Sequence, residues 1–306
     1  MDKVKCLVDN TEHESVYDLH YYLRKLKIKQ KDYYEKYYQK RDLYTNEIIP
    51  FKDIDSYFKV SFLNKHNLEC WADHNTQKAI VWAETYLKER KEEKKLVFAP
   101  HHVELKTLFC PTVRFLEQHG DYNGLCDTLG FKKSFDYKKK ISIKKLPSDY
   151  IIIQDTREQT PLKFVQAKVD TLKYGDYTLC PKYNNGIYIE RKSISDAVGT
   201  LGKDYERFYK EVERAKAGGH YLVVLVEEKY DVFKDFDQDY RMRYSKAKPA
   251  HIFRNIRNLL HEFPENLQFL FVDGRPKAAD MVIKLLSLGG EVRTIDLQYA
   301  LETKQI

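Results

Sequence analysis

Three apolar runs of strand length, "YIIIQD", "YLVVLVE" and "LQFLFVD", recur through the second half of the chain, and each ends on a carboxylate. Between and after them lie the charged, helically periodic segments "KDYERFYKEVERAKA", "HIFRNIRNLLHEF" and "KAADMVIKLLSLG". Short apolar runs alternating with amphipathic helices predict an α/β fold with helices packed on a mixed sheet. The first half has a different texture, and 306 residues suffice for two domains at roughly 100 to 200 residues each.

That first half reads as mainly helical. In "SVYDLHYYLRKLKIKQKDYYEKYYQK" the Tyr, Leu and Ile residues recur at helical spacing, which predicts two short helices. "LYTNEIIPFKDIDSYF" is punctuated by Asn46 and Pro50 and reads as a turn or hairpin. "NTQKAIVWAETYLKERKEEKK" predicts a helix whose "KERKEEKK" end is a solvated face. The next 33 residues, from Ala99 to Phe131, carry three short helical patterns broken at Pro111 and Gly120. "KKSFDYKKKISIKKLPSD" is lysine-rich and closed by Pro147, the signature of a linker. The expected organisation is therefore 1–75, a finger-like module; 76–131, a small helical unit; 132–149, a basic linker; and 150–306, the α/β domain.

Lys plus Arg number 53 against 46 Asp plus Glu, a net charge of +7 that permits nucleic acid as a partner without proving it. Lys138, Lys139, Lys140, Lys144 and Lys145 of the linker are candidate phosphate contacts. Cys6, Cys70, Cys110, Cys126 and Cys180 lie far apart, and no charged-then-apolar leader opens the chain. Free thiols in a reducing cytoplasmic compartment are expected. The longest apolar stretches fall far short of the roughly 20 residues that span a bilayer, so no membrane partner is expected.

The chemistry concentrates at strand edges. Asp155 ends the first apolar run; Asp176 follows Gly175; Glu190 ends "GIYIE", the return strand of a hairpin whose turn is "KYNNG"; Asp196 falls at the following turn or helix start. Such acids can be solvated or form structural salt bridges. Alternatively, carboxylates that converge at one end of a sheet suit a hard divalent cation, which takes oxygen ligands and retains water and substrate phosphates. Lys192 would then orient or deprotonate the attacking water, and Arg191 would hold a phosphate or carboxylate oxygen through its planar fork. Strand alternation sends Glu190 and Lys192 to one face and Arg191 to the other.

At "IIIQDTRE", "YGDYTL", "YIERKSISDAVGTL" and "ERFYKEVERAKAGGHYLVVLVE" the sequence resembles the XPF/Hef-type nuclease domain, whose hallmark is Glu-Arg-Lys, three residues, then Asp. The resemblance runs from about Tyr150 to Asp296. It implies a restriction-endonuclease-like core, magnesium or manganese as cofactor, and hydrolysis of DNA beside branches or flaps. By position it makes Asp155, Asp176 and Glu190 metal ligands, Lys192 the water-positioning base, and Arg191 and Asp196 essential supports. Arg157, Glu158 and Arg207 match weaker family positions, and Arg157 and Arg207 are candidate DNA contacts. Domains of this type commonly pair, and "HIFRNIRNLLHEF" and "KAADMVIKLLSLGG" offer apolar faces for a homodimer. Family members commonly carry an upstream helicase or a downstream helix-hairpin-helix pair, and neither is expected from this sequence.

The pattern around Cys6, His20 and "KDYYEKYY" is similar to zinc-finger-like modules of phage and mobile-element proteins, but without a second Cys, so zinc is not expected. Cys70, His74, His101, His102, Cys110, His119 and Cys126 complete no regular ligand pattern and read as buried thiols and surface histidines. Residues 99–131 resemble the small helical repeats attached to homing endonucleases, or form a plain helical hairpin. Two rivals to a branch-directed nuclease follow: a site-specific, homing-like endonuclease of a phage or mobile element, acting in the bacterial host's cytoplasm or nucleoid, and a non-catalytic DNA-binding scaffold.

Overall fold

The computed structural model describes residues 4–14, 16–29, 32–33, 76–92, 94–108, 112–119, 121–243 and 245–306. The predicted turn at 43–58, most of "KDYYEKYY", and Cys70, His74, Cys110, Pro111 and Gly120 lie outside these residues. The chain divides into two compact units, Met1–Phe131 and Lys132–Ile306.

In the first unit, β1 (Val4–Lys5) pairs antiparallel with β2 (Glu12–His13) and precedes α1 (Val16–Lys25). Buried Tyr33 closes this corner, its hydroxyl accepting from the Leu7 N–H at 2.8 Å. Helices α2 (Thr76–Glu92), α3 (His102–Thr107), α4 (Val113–His119) and α5 (Tyr122–Thr128) follow. The run read as a solvated face is not one throughout. Arg90 is buried, with Nε 3.1 Å and Nη2 2.8 Å from the two oxygens of equally buried Glu104, because a buried guanidinium persists where a carboxylate matches its fork. His101 and His102 are likewise buried instead of lying on the surface. The side chains of Cys6 and Cys126 are buried.

The second unit is built on a six-stranded mixed sheet. Its strands are β3 (Ile152–Asp155), β4 (Ala167–Asp170), β5 (Tyr177–Leu179), β6 (Ile187–Lys192), β7 (Tyr221–Val226) and β8 (Leu267–Phe271), in the order β4-β3-β5-β6-β7-β8. Strands β6, β7 and β8 run parallel, β5 is antiparallel to both neighbours, and β3 and β4 are parallel. The all-buried β7 and β8 are the continuous apolar runs that a parallel sheet covered on both faces requires. Exposed β4, carrying Lys168 and Asp170, protects an edge with charge.

Helices α6 (Ile194–Leu201), α7 (Tyr205–Ala217), α8 (Tyr230–Phe233), α9 (Pro249–Glu262), α10 (Gly274–Leu288) and α11 (Leu297–Glu302) complete the unit. Alternate β7 residues Tyr221, Val223 and Leu225 join one core with Ala278, Met281, Val282 and Leu285 of α10. The apolar residues of α9 and α10 that sequence offered to a second copy, including Ile252, Ile256, Leu259, Met281 and Leu285, are buried within this chain. Amphipathic periodicity cannot distinguish a helix that packs on its own sheet from one that packs on a partner.

The segment read as a linker carries two buried aromatics, Phe135 and Tyr137. Tyr137 donates to Asp296 Oδ2 at 3.1 Å, and the Asp136 N–H donates to Thr294 O at 3.3 Å. Lysine density had masked these aromatic anchors. Among the described residues no helix is long and apolar enough to cross a membrane.

Candidate active site

Backbone register gathers the acids. Gln154 pairs with Tyr177, and Tyr177 with Ile189, so the ends of β3 and β6 flank the start of β5. The Asp176 N–H donates to Ile189 O at 2.8 Å and the Asp155 N–H to Asp176 O at 2.9 Å, which extends both ladders to the acids themselves. Gly175 makes this possible: its φ is +57°, and an added Cβ would meet Ile189 O at 2.9 Å. Gly175→Ala is expected to destabilise the chain by about 2 kcal/mol or more, because it combines a left-handed backbone with a clash against the strand. Denaturant titration checks this; an unchanged midpoint would mean that the turn can be rebuilt without glycine.

Half-buried Asp176 accepts the Arg191 N–H on Oδ2 at 2.7 Å. Burial and then the neighbouring Glu190 charge push its carboxyl up to about 8, against the pull of that N–H. Buried Glu190 is also pushed up, first by burial and further by Glu211, although the Lys192 ammonium 2.5 Å from its Oε1 opposes the rise. Lys192 is itself raised: burial disfavours its charge, but Glu190, Asp176 and Glu211 more than offset that. The predicted alternation is present, with Glu190 and Lys192 paired on one face while Arg191 pairs elsewhere.

Arg191 is held in a cage. Its Nε and Nη2 donate to the two oxygens of Glu158 at 3.2 and 2.9 Å, Nη1 to Glu227 Oε2 at 2.9 Å, and Nη2 to Thr160 Oγ1 at 3.0 Å. Its fork therefore binds carboxylates of its own chain, one of the two options open from sequence. Burial works against this cation, and the Glu158 and Glu227 contacts hold it firmly protonated.

Asp155, the third metal ligand expected from sequence, carries hydrogen bonds on both carboxylate oxygens. Its Oδ1 accepts from Arg157 N and Nε at 2.8 and 2.6 Å, and its Oδ2 from Leu172 N and Arg157 Nη2 at 2.7 and 3.2 Å. Burial opposes its charge, and these donors nonetheless hold the carboxyl below its usual range. It thereby pins Arg157, 68% exposed, whose charge is also felt by Glu211 and Glu190. Asp196 lies in the first turn of α6, where its Oδ2 accepts from the Ser193 hydroxyl at 2.6 Å and its N–H donates back at 3.2 Å. This reciprocal cap fixes the helix directly after β6. Arg207 stands exposed on α7. Lys138, Lys140, Lys144 and Lys145 are exposed, while Lys139 lies 3.6 Å from Glu291 Oε2 and donates to Thr294 Oγ1 at 3.0 Å.

Among the described residues, no three His, Cys, Asp or Glu side chains form a group that could hold a metal ion. The pair Asp176 and Glu190 nevertheless fits a divalent cation. Two carboxyls forced upward by burial, the one further raised by the other, form a donor set that a cation would relieve, and magnesium needs only one or two protein carboxylates.

Sequence reasoning passed over Glu227, Glu211 and Arg275. Glu227 carried the same signal as Asp155, an acid ending an apolar run, whereas Glu211 is indistinguishable by sequence from the solvated acids of α7. Arg275, which binds the backbone of the 158–161 turn, carried no signal.

Residues 141–285 match the ERCC4 domain, a nuclease domain. The match stops short of the first unit, so the finger-like and repeat-like resemblances there rest on sequence alone. No curated protein sequence matches the chain. Solved structures that resemble it include XPF from Aeropyrum pernix, 20% identical with a TM-score of 0.34, covering 46% of this chain and 68% of that one. The complex of XPF from Aeropyrum pernix with DNA is 19% identical with a TM-score of 0.32, covering 45% and 64%.

Proposed function

We propose that this chain is a divalent-metal-dependent DNA endonuclease whose second unit hydrolyses phosphodiester bonds and whose first unit and lysine-rich 132–149 segment add affinity for DNA. The observation that carries the reading is the Asp176–Glu190 pair, with Lys192 beside it, inside an ERCC4 domain. Asp176 and Glu190 would hold magnesium or manganese. When bound, such an ion supplies charge neutralisation at a phosphate and an acidified water.

The chain's own groups do the rest. Lys192 is held as an ammonium, so it offers N–H donors to an oxygen of water or phosphate. Arg157, exposed yet pinned by Asp155, presents a rigid guanidinium suited to a phosphate of the cleaved strand. Asp155 thus serves the centre by positioning Arg157 and the Leu172 turn, while Arg191 anchors the middle of the Glu-Arg-Lys segment and Asp196 caps the helix that follows it. Branched or flapped DNA is the proposed substrate.

Nicking of supercoiled plasmid with and without magnesium, by the full chain and by Glu190→Gln, tests the activity. Magnesium-dependent nicking by the parent, lost in the variant, is expected; a parent that binds DNA but never cuts it would leave the scaffold reading in its place. Mapped cleavage of flap, fork, four-way-junction and linear duplex DNA then separates branch-directed from site-specific action.

A further inference from the structure

Arg191 lies where β6 outruns its partner. On one side β6 pairs with β7 as far as Lys192, but on the other its only paired residue with β5 is Ile189 opposite Tyr177. Beyond that point the Arg191 N–H bonds the Asp176 side chain instead of a strand backbone. The β5 ladder therefore does not reach the backbone at Arg191, which on that side is held by the Asp176 bond and, through its side chain, by the cage around its guanidinium.

We infer that Arg275 and Glu227 are positioning residues of the hydrolytic centre, closing that cage so that the Arg191 N–H keeps the Asp176 carboxylate aimed. The inference rests on the endonuclease reading above.

Arg275, in the first turn of α10, donates through Nη2 to Thr160 O and to Pro161 O, the latter at 2.6 Å. Its Nη1 stands 3.5 Å from Glu227 Oε1, while the other oxygen of Glu227 accepts from Arg191. The two guanidinium groups thus grip the 158–161 turn from two sides and share one carboxylate. Glu158, Arg191 and Glu227 are nearly closed to solvent, with side-chain exposures of 6, 6 and 10%, whereas Arg275 is 42% exposed and acts as the outer latch. Freed of Arg275, the turn carrying Glu158 and Thr160 would keep its ends tied, by the Glu158 N–H to Asp155 O at 3.2 Å and the Leu162 N–H to the Tyr177 hydroxyl at 2.9 Å, but between them Arg191 would hold it without the donors to Thr160 O and Pro161 O. A shift of β6 by a fraction of an ångström would then move the Asp176 acceptor, and displacements of about 1 Å at a reaction centre cost up to roughly a hundredfold in rate.

Single-turnover cleavage, DNA affinity across salt concentrations, and amide hydrogen exchange are measured for the full chain and for Arg275→Ala, Arg275→Lys and Glu227→Gln. Arg275→Ala is expected to slow the cleavage step by about ten- to a hundredfold with affinity and salt slope unchanged. Exchange of the Arg191 amide should quicken, Arg275→Lys should restore part of the rate, and the Arg275→Ala and Glu227→Gln losses should not add. Cleavage within twofold of the parent, with Arg191 exchange unaltered, would overturn the inference. Weaker binding with a flatter salt slope would also overturn it, marking Arg275 as a DNA contact. Failure of the endonuclease reading shows separately: the parent and Glu190→Gln would then behave alike on DNA, while the exchange measurement would still report whether Arg275 holds Arg191.

Discussion

Asp176→Asn is expected to lose more than about a hundredfold in metal-dependent cleavage and at the same time to gain stability at neutral pH. The reason is the cost of keeping a carboxylate where this fold keeps it. In the unfolded chain the Asp176 carboxyl titrates near 3.8; burial and the Glu190 charge raise it to about 8 in the fold. Between those values the folded protein binds more protons than the unfolded one, so its contribution to stability is fully present below about pH 4 and is lost as pH rises towards 8. Asparagine carries no charge, and its carbonyl oxygen can still accept the Arg191 N–H. Each unit of displacement is worth about 1.4 kcal/mol at most, so after allowance for partial exposure and coupling to Glu190 the gain at pH 7.5 should be on the order of 1–3 kcal/mol. It should shrink towards zero near pH 4. Denaturant unfolding from pH 4 to 8 without divalent metal measures it, and parallel curves for parent and variant would show that the carboxyl is not strained. Adding magnesium should stabilise the parent and leave the variant unchanged, because an ion that binds only the folded form stabilises by mass action.

How far such a site could be read from sequence depended on whether each residue's partner was local. Alternation along "YIERK" placed Glu190 and Lys192 together and Arg191 apart, and the structure keeps that arrangement. The "KYNNG" turn joins antiparallel β5 and β6 as its composition required. Asp155 and Asp176 reach the strand ends through register, which the apolar runs encode, yet the direction of each carboxylate depends on donors that the runs do not encode. Asp155 is drawn to Arg157, two residues away, and to the backbone of Leu172. Arg191 could have served phosphate or carboxylate; only the approach of β3, β7 and α10 in three dimensions brings Glu158, Glu227 and Arg275 around it. The same limit hid Phe135 and Tyr137: Tyr137 bonds Asp296 and packs edge-on against Tyr299, more than 150 residues away, and Phe135 packs edge-on against Tyr137.

Arg191→Met should be the most damaging substitution to the fold itself. Methionine fills much of the arginine's volume but leaves Glu158 and Glu227, both almost closed to solvent, without the cation they share, Glu227 keeping the Arg275 guanidinium at 3.5 Å. Removing one partner from a buried ion pair costs about 3–5 kcal/mol, because the desolvated charge left behind has no compensation. Arg191→Lys keeps the charge but replaces a planar fork with a single ammonium, which cannot meet both Glu158 oxygens and Glu227 in the same geometry; an intermediate loss follows. The origin of the penalty is separable. If it is the stranded carboxylates, Glu158→Gln and Glu227→Gln introduced together with Arg191→Met should recover a large share of stability without recovering cleavage, since the Arg191 backbone would still be uncaged. Urea unfolding of the single and triple variants, alongside single-turnover cleavage under conditions where each is folded, distinguishes the two contributions. A loss below about 1 kcal/mol for Arg191→Met would place the cage among solvated surface pairs, whose contribution is of that size. Recovery of cleavage by the triple variant would mean that this arginine serves the reaction only through charge balance, and not by holding β6 against Asp176.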